Sequence, residues 1–202
     1  MLLSVSDMEI CEKLQPEYFA ANLNLLNRAQ LVVADTNLPQ ASLEYLASHC
    51  TAPIFVDPVS TRKAEKLHGV LGKIHTLKPN RIEAELLSGV KITDEDSLHR
   101  AAQALLDTGL RRVFISLGSD GVFAADHNGF VHQPCLPAKM ANATGAGDAF
   151  MAALAWAYLE GTDLKDTAAL ASAAASIAIE GAETINPVLS VESVRERVNV
   201  NK

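Results

Sequence analysis

Four short apolar runs punctuate the chain between residues 30 and 117, at 30–34, 53–56, 73–77 and 112–117. Each is rich in Val, Ile, Leu or Phe and ends on polar or turn-forming residues, as strands buried on both faces do. Between the runs, apolar residues recur at helical spacing. They predict helices over about 39–49, 61–69, 80–88 and 94–108, after an earlier helix over about 16–28 that Pro16 opens at its first position. Strands alternating with helices imply a parallel sheet covered on both faces.

After Leu117 the pattern changes. Gly121 to Ala125 and Phe130 to His132 flank the turn Asp126-His127-Asn128-Gly129, which signals a hairpin. Helices over about 146–160, 164–180 and 190–198 complete the chain. The fold class expected is therefore α/β: a mainly parallel, doubly wound sheet with helices on both faces and a C-terminal β-hairpin. Residues 16–202 read as one domain and residues 1–15 as a separate remnant. Within that remnant, 1–6 look like a strand without a partner in the sequence.

Composition narrows the function classes. Hydrophobic residues make up 49% and charged residues 20%, as in a soluble globular domain, and the formal net charge is −7. No Lys/Arg cluster interrupts that acidic balance, which argues against nucleic acid and anionic membranes as partners. Cys11, Cys50 and Cys135 lie far apart, and the histidines show no metal-ligand spacing, so reduced thiols and a cytoplasmic location are expected. The opening residues lack the basic segment of a signal peptide. The most apolar window, Ala168 to Ile179, is too short to cross a bilayer. It reads instead as a buried helix whose small side chains let another element, or a flat ligand, come close.

The chemistry concentrates at Asn142 to Phe150. Gly145, Ala146 and Gly147 leave the backbone uncovered where a helix begins, so free N–H groups and the positive end of the helix dipole face outward. Asp148 places a carboxylate in the first turn. The macrodipole alone favours an acid there, but beside an anion site a carboxylate also suits proton abstraction from an attacking hydroxyl. Further polar residues fall at the carboxyl ends of the expected strands, where ligands of open α/β sheets bind: Asp35-Thr36-Asn37, Asp57 to Ser60, Lys78-Pro79-Asn80 and Gly118 to Gly121. Asn80 and Glu83 have the spacing of a helix capping box, which explains them without a ligand. Ser116-Leu117-Gly118-Ser119-Asp120-Gly121 is a strand running into a glycine turn; it either brings backbone close to a nucleotide or merely joins strand to hairpin. No P-loop sequence is present.

The run Asn142 to Phe150 resembles the second signature of the PfkB, or ribokinase-like, family of carbohydrate and nucleoside kinases. Ala143 departs from the residues usual there, and Asn142 stands where many members have Asp. The resemblance covers roughly the last two-thirds of a member. It implies that the N-terminal part, with the Gly-Gly signature and most of the β lid, is largely missing, and that residues 1–10 belong to the lid region, through which the intact protein would form a homodimer. It further implies an ATP-dependent kinase with Asp148 as catalytic base and Gly145, Ala146 and Gly147 as anion hole. Asn80, the 116–121 loop, Gly147 and Ser172 would meet the nucleotide, and Glu83 would act on Mg²⁺ through water. Ser176, one turn after Ser172, reads as a helix-packing serine. Asn142, Thr144 and Ala178 match ligand positions for a monovalent cation such as K⁺. Asp57-Pro58-Val59-Ser60-Thr61-Arg62-Lys63 resembles a stretch of the pseudouridine kinase subfamily, as do Asp7 to Ile10 and Asp35 to Leu38. The small-molecule substrate implied is a sugar or nucleoside, pseudouridine first. A generic ribokinase- or fructokinase-like enzyme, or a nucleotide-binding fragment without turnover, stands beside it.

Overall fold

The structure, a computed structural model, describes residues 7–201. The expected strand at 1–6 lies outside the described residues. Six strands form one sheet in the order β1 (Val32–Asp35), β2 (Ile54–Asp57), β3 (Thr76–Leu77), β4 (Arg112–Ser116), β5 (Val122–Asp126) and β6 (Gly129–Gln133). The first four are parallel, and β4, β5 and β6 are antiparallel through the expected hairpin.

Helices α1 (Pro16–Leu26), α2 (Gln40–His49), α3 (Thr61–Ala64), α4 (Arg81–Ser88) and α5 (Glu95–Asp107) pack on one face. Helices α6 (Ala146–Leu159), α7 (Leu164–Glu180) and α8 (Val191–Val200) pack on the other. Strand order explains this division. The parallel strands follow one another in sequence, so right-handed crossovers place every connecting helix on the same side. The opposite face then needs the C-terminal helices. Side-chain alternation serves both layers: Ile54, Val56, Val113 and Ile115 join the first core, Phe55 and Phe114 the second. All six are buried.

Two elements differ from the sequence expectation. The helix expected over 61–69 stops at Ala64 and continues as a 3₁₀ turn over Glu65–Leu67. Here the Lys66 ammonium donates to the carbonyls of Thr36 (3.0 Å) and Leu38 (2.8 Å), fastening the segment to the loop after β1. The strand expected over 73–77 shrinks to Thr76–Leu77, because Leu71–Lys73 form another 3₁₀ turn. At Gly72 a Cβ would lie 2.1 Å from the Thr108 carbonyl oxygen, so the turn presses against the end of α5 and strand geometry begins only beyond it.

Candidate active site

The N-terminus of α6 is built by conformation rather than by a capping side chain. Gly145 has φ +88°, and a Cβ there would stand 2.2 Å from the Thr184 carbonyl oxygen, so the position accepts only glycine. No side chain caps the helix, which leaves the first amides, those of Ala146, Gly147 and Asp148, without intrahelical acceptors. With the helix dipole these free donors suit an anion. Lys78 adds a full positive charge, since a Cβ on Gly147 would come 3.5 Å from its Nζ.

This helix end stands at the boundary of two cavities. One, of about 330 Å³, is lined by Lys78, Ser116, Gly118 and Gly121 from the strand ends and by Ala146, Gly147 and Phe150 from α6. Ser172, Ala175, Ser176 and Ile179 of α7 face it, with Val122, Cys135 and Leu136 completing the wall. The other, of about 500 Å³, carries Asp148 and Met151 from α6, Asp35, Asp57 and Val59 from strand ends, and apolar residues of β1, α1 and α2. The strand-end groups that the sequence suggests for one cleft are thus divided. Backbone donors and Lys78 serve the first cavity, carboxylates the second.

Asp57 joins the two sides. Its Oδ2 pairs with Lys78 Nζ at 2.9 Å, while its Oδ1 accepts the Val59 N–H at 2.9 Å. Val59 has φ +61°, a conformation strained for a β-branched residue. The Ser60 N–H donates to the Pro58 carbonyl at 2.6 Å, closing a tight three-residue turn about Val59. The buried Thr36 hydroxyl also donates to Pro58 O. These bonds over-determine the turn and project Val59 into the second cavity.

Asn80 and Glu83 form the complete capping box. Asn80 Oδ1 accepts the Glu83 N–H at 2.9 Å, and Glu83 Oε2 accepts the Asn80 N–H at 2.8 Å. Asn80 also makes a parallel bridge with Ser116, which sets α4 against the end of β4. Glu83 is buried. Burial holds its carboxyl above the ordinary range and the negative charge of Asp57 adds to this, while the Asn80 N–H and Lys78 pull the other way. Neither Asn80 nor Glu83 lines the first cavity; they support its floor.

The 116–121 loop separates in the same manner. Ser116, Gly118 and Gly121 line the cavity, whereas Leu117 packs against the core. Ser119 is exposed, and Asp120 reaches away to Arg81 at 3.4 Å. Gly121 has φ +90°, and a Cβ on it would meet the Gln133 carbonyl oxygen at 2.1 Å. Close approach to the hairpin therefore explains that glycine without any ligand. Ser172 is the opposite case: its Oγ is buried at the cavity wall and has no hydrogen-bond partner. Such a group is rare in proteins and marks a place for a polar ligand atom. Ser176 donates to the Ala173 carbonyl at 2.8 Å, as a helix-packing serine does, and lines the cavity as well.

Asn142 lies against the end of α7, for the N–H groups of Ala141 and Asn142 donate to the Ile179 carbonyl, next to Ala178. Asn142 Oδ1 accepts the Thr144 N–H at 3.0 Å, and the Ala178 carbonyl accepts the Gly181 N–H at 3.2 Å, each keeping a second lone pair. Among the described residues no cluster of three or more His, Cys, Asp or Glu has metal-binding geometry. No helix among them is long and apolar enough to cross a membrane.

Lys78, Phe150 and Val59 stand in the stretches singled out from the sequence, but without a role of their own there. Lys78 announced itself only as a cation at a strand end, directly before the capping box. Val59 lies within the Asp57–Lys63 stretch singled out above, but nothing in Asp-Pro-Val-Ser foretells a positive φ at the valine.

Comparison with known proteins accords with this geometry. The pattern of the pfkB family of carbohydrate kinases matches residues 7–191. The chain is 36% identical over 196 residues to the pseudouridine kinase of Escherichia coli, covering 96% of this chain and 63% of that protein. It is 34% identical over 194 residues to the E. coli sugar kinase YeiI, itself uncharacterized, covering 95% of this chain and 54% of that one. The chain thus spans less than two-thirds of the length of these relatives. Ribokinase of Thermotoga maritima superposes with a TM-score of 0.81 at 24% identity, over 93% of this chain and 62% of that one, which establishes the ribokinase-like fold. The uncovered amides of α6, the strand-end loops facing them and the match over 7–191 agree: the chain belongs to the pfkB family of carbohydrate kinases.

Proposed function

We propose that this chain carries the nucleotide and phosphoryl-transfer side of an ATP-dependent kinase acting on a sugar or nucleoside hydroxyl, with pseudouridine the substrate best supported. One observation carries the reading: a single helix turn presents Ala146 and Gly147 to one cavity and Asp148 to the other. Donor phosphates on the amide side and an acceptor hydroxyl on the carboxylate side would meet at that turn.

Phosphoryl transfer needs positioning and charge stabilisation more than covalent chemistry. The Gly145–Gly147 backbone and Lys78 would hold the transferring phosphate, whose charge they neutralise in a site partly screened from water. Asp148 would take the acceptor proton as the new P–O bond forms and the oxygen becomes acidic. The base and ribose would lie against the small residues of α7, with a polar edge toward the unpartnered Ser172 Oγ. Glu83 uses only Oε2 for the cap, so Oε1 remains for a water of Mg²⁺, an ion that keeps its waters and takes few carboxylates. Bound there, Mg²⁺ supplies charge neutralisation on the donor phosphates. Asn142 Oδ1 and the Ala178 carbonyl each keep a lone pair with which, beside Thr144, they would hold a monovalent cation such as K⁺.

Pseudouridine as acceptor rests on the identity to the E. coli enzyme and on the Asp57–Lys63 stretch. A second reading, nucleotide binding without turnover by this chain alone, is favoured by β1. Its Val33 is 52% exposed on the edge strand beside the acceptor cavity. The test is ATP consumption with pseudouridine, ribose and fructose, using wild type and Asp148→Asn. A general base contributes roughly 10²–10⁴ in rate, so Asp148→Asn loses turnover on that scale while ATP binding, followed by calorimetry, is retained. Near-normal turnover in the variant would remove Asp148 from the mechanism. ATP binding without turnover in the wild type selects the second reading.

A further inference from the structure

Cys135 lies immediately after β6, on the wall of the first cavity, and is exposed, whereas Cys11 and Cys50 are half-buried. Its place is fixed by close packing, for its backbone nitrogen would be 2.7 Å from a Cβ on Gly121. The Ser172 hydroxyl, 92% buried and without a partner, lines the same cavity and points to a polar ligand there. A bulky group on a residue of that wall competes with the ligand for the cavity.

We propose that Cys135 is a modification site at which a small disulfide of the glutathione type closes the nucleotide cavity. The inference rests on the reading that this cavity takes a nucleotide. The Cys135 thiolate attacks one sulfur of glutathione disulfide. A new S–S bond forms to Cys135 Sγ and the old one breaks. Its electron pair leaves with the second glutathione as a thiolate, which takes up the proton given up by the thiol. Cys135 is oxidised and the departing half of the disulfide is reduced. The attached tripeptide is large beside a space of about 330 Å³, so nucleotide and adduct exclude each other. The reaction needs an accessible thiol, and exposure favours Cys135 over the other two.

The exclusion is reciprocal, which makes it measurable on the chain by itself. Thiol release from a chromogenic aromatic disulfide is followed in wild type and Cys135→Ala, with and without MgATP, and MgATP affinity is measured separately by calorimetry. The fastest phase of the wild type belongs to Cys135 and is absent from Cys135→Ala. MgATP at about ten times its dissociation constant slows that phase about tenfold, the ratio by which the free site is depleted. Treatment with glutathione disulfide abolishes MgATP binding in wild type, dithiothreitol restores it, and the affinity of Cys135→Ala is the same before and after treatment. A fast phase that persists in Cys135→Ala overturns the proposal. So does MgATP that binds by calorimetry yet leaves the phase unchanged, an outcome in which the nucleotide reading stands. Absence of any MgATP binding to the untreated wild type overturns both.

Discussion

Arg197 of α8 carries a specific test of how the site is held. Its Nη2 donates to Glu180 Oε2 at 2.6 Å, and its Nη1 reaches Glu180 Oε1 and the Pro137 carbonyl, each at 3.2 Å. Glu180 Oε1 also accepts the Lys139 N–H at 3.3 Å. One guanidinium therefore fastens α8, the end of α7 and the segment 137–139 that leads into the anion loop. Arg197 and Glu180 are 24% and 30% exposed, between the surface and the buried limits. Buried charge-assisted bonds contribute about 1.5–3 kcal/mol and exposed pairs about 0–1 kcal/mol, which places Arg197→Ala at a loss of roughly 1–2 kcal/mol. At about 2–4 °C per kcal/mol for a chain of this size, the melting temperature falls by roughly 2–8 °C at pH 7.

Acid supplies the internal control. The Arg197 hydrogen bonds hold the Glu180 carboxyl below its ordinary range, with the Lys139 N–H acting in the same direction. A depressed carboxylate stabilises the fold above its unfolded pKa of 4.5 and loses that contribution as pH falls through its lower folded value. The gap between wild type and Arg197→Ala, measured by urea denaturation at pH 7 and again below pH 4.5, must therefore narrow in acid. Arg197→Lys, which keeps the charge but not the fork, recovers part of the loss. A gap that is absent at pH 7, or one that does not change with pH, refutes the clamp.

Three further outcomes follow from the same coordinates. Val59→Gly relieves a strain of about 1–3 kcal/mol against a glycine entropy cost of about 0.5–1 kcal/mol, so thermal denaturation should show a more stable protein with weaker acceptor binding; a lower melting temperature contradicts the strain. Glu83→Gln keeps an acceptor for the Asn80 N–H and removes a carboxylate that burial disfavours, so stability at pH 7 holds or rises while the Mg²⁺ concentration needed for turnover increases. Unchanged Mg²⁺ dependence leaves Glu83 with the cap alone. Burial, helped by Arg112 and Arg111, lowers the His75 pKa from 6.5 to about 4. The folded state then resists protonation, so the contribution of neutral His75 is complete above pH 6.5 and is lost as pH falls toward 4. Halved for partial exposure, the loss is about 1 kcal/mol at pH 5. His75→Phe, which preserves ring stacking on Phe55 and the edge-on contact with Tyr158, should flatten the stability profile between pH 7 and 5 by that amount.

Periodicity made most of the fold legible, because its strands are buried on both faces and their apolar runs stand out from the helices. It failed where contacts distant in sequence decide the conformation: Lys66 reaching the loop after β1, and Gly72 pressed against Thr108. The site divides along the same line. Gly145 and Asp148 belong to one continuous run, and that run by itself singles them out. The Asp57–Lys78 pair joins two strand ends, and its role as the link between cavities appears only when β2 and β3 are placed side by side. Asn80 and Glu83 show the reverse limit. Their spacing is explained fully by the capping box that forms, so the pattern alone carries no weight for Mg²⁺.

The two cavities differ in how far their walls are supported. The phosphate side draws on β4, β5, α6 and α7, elements packed against one another, with the anion loop held down by Ile179, Thr184 and the Arg197 clamp. The acceptor side depends on the turn at Val59 and on the outer side of β1, where Val33 is exposed and no described strand pairs beyond it. Rigid support is what positions catalytic groups, and a base one ångström out of place loses most of its effect. Nucleotide affinity should consequently be the more robust property of this chain, and acceptor affinity the more sensitive one. Asp57 couples them, since the carboxylate that holds the Val59 turn also holds Lys78 beside Gly147. A ligand that shifts the Val59 turn would move Lys78 as well, so the strained turn links the two cavities.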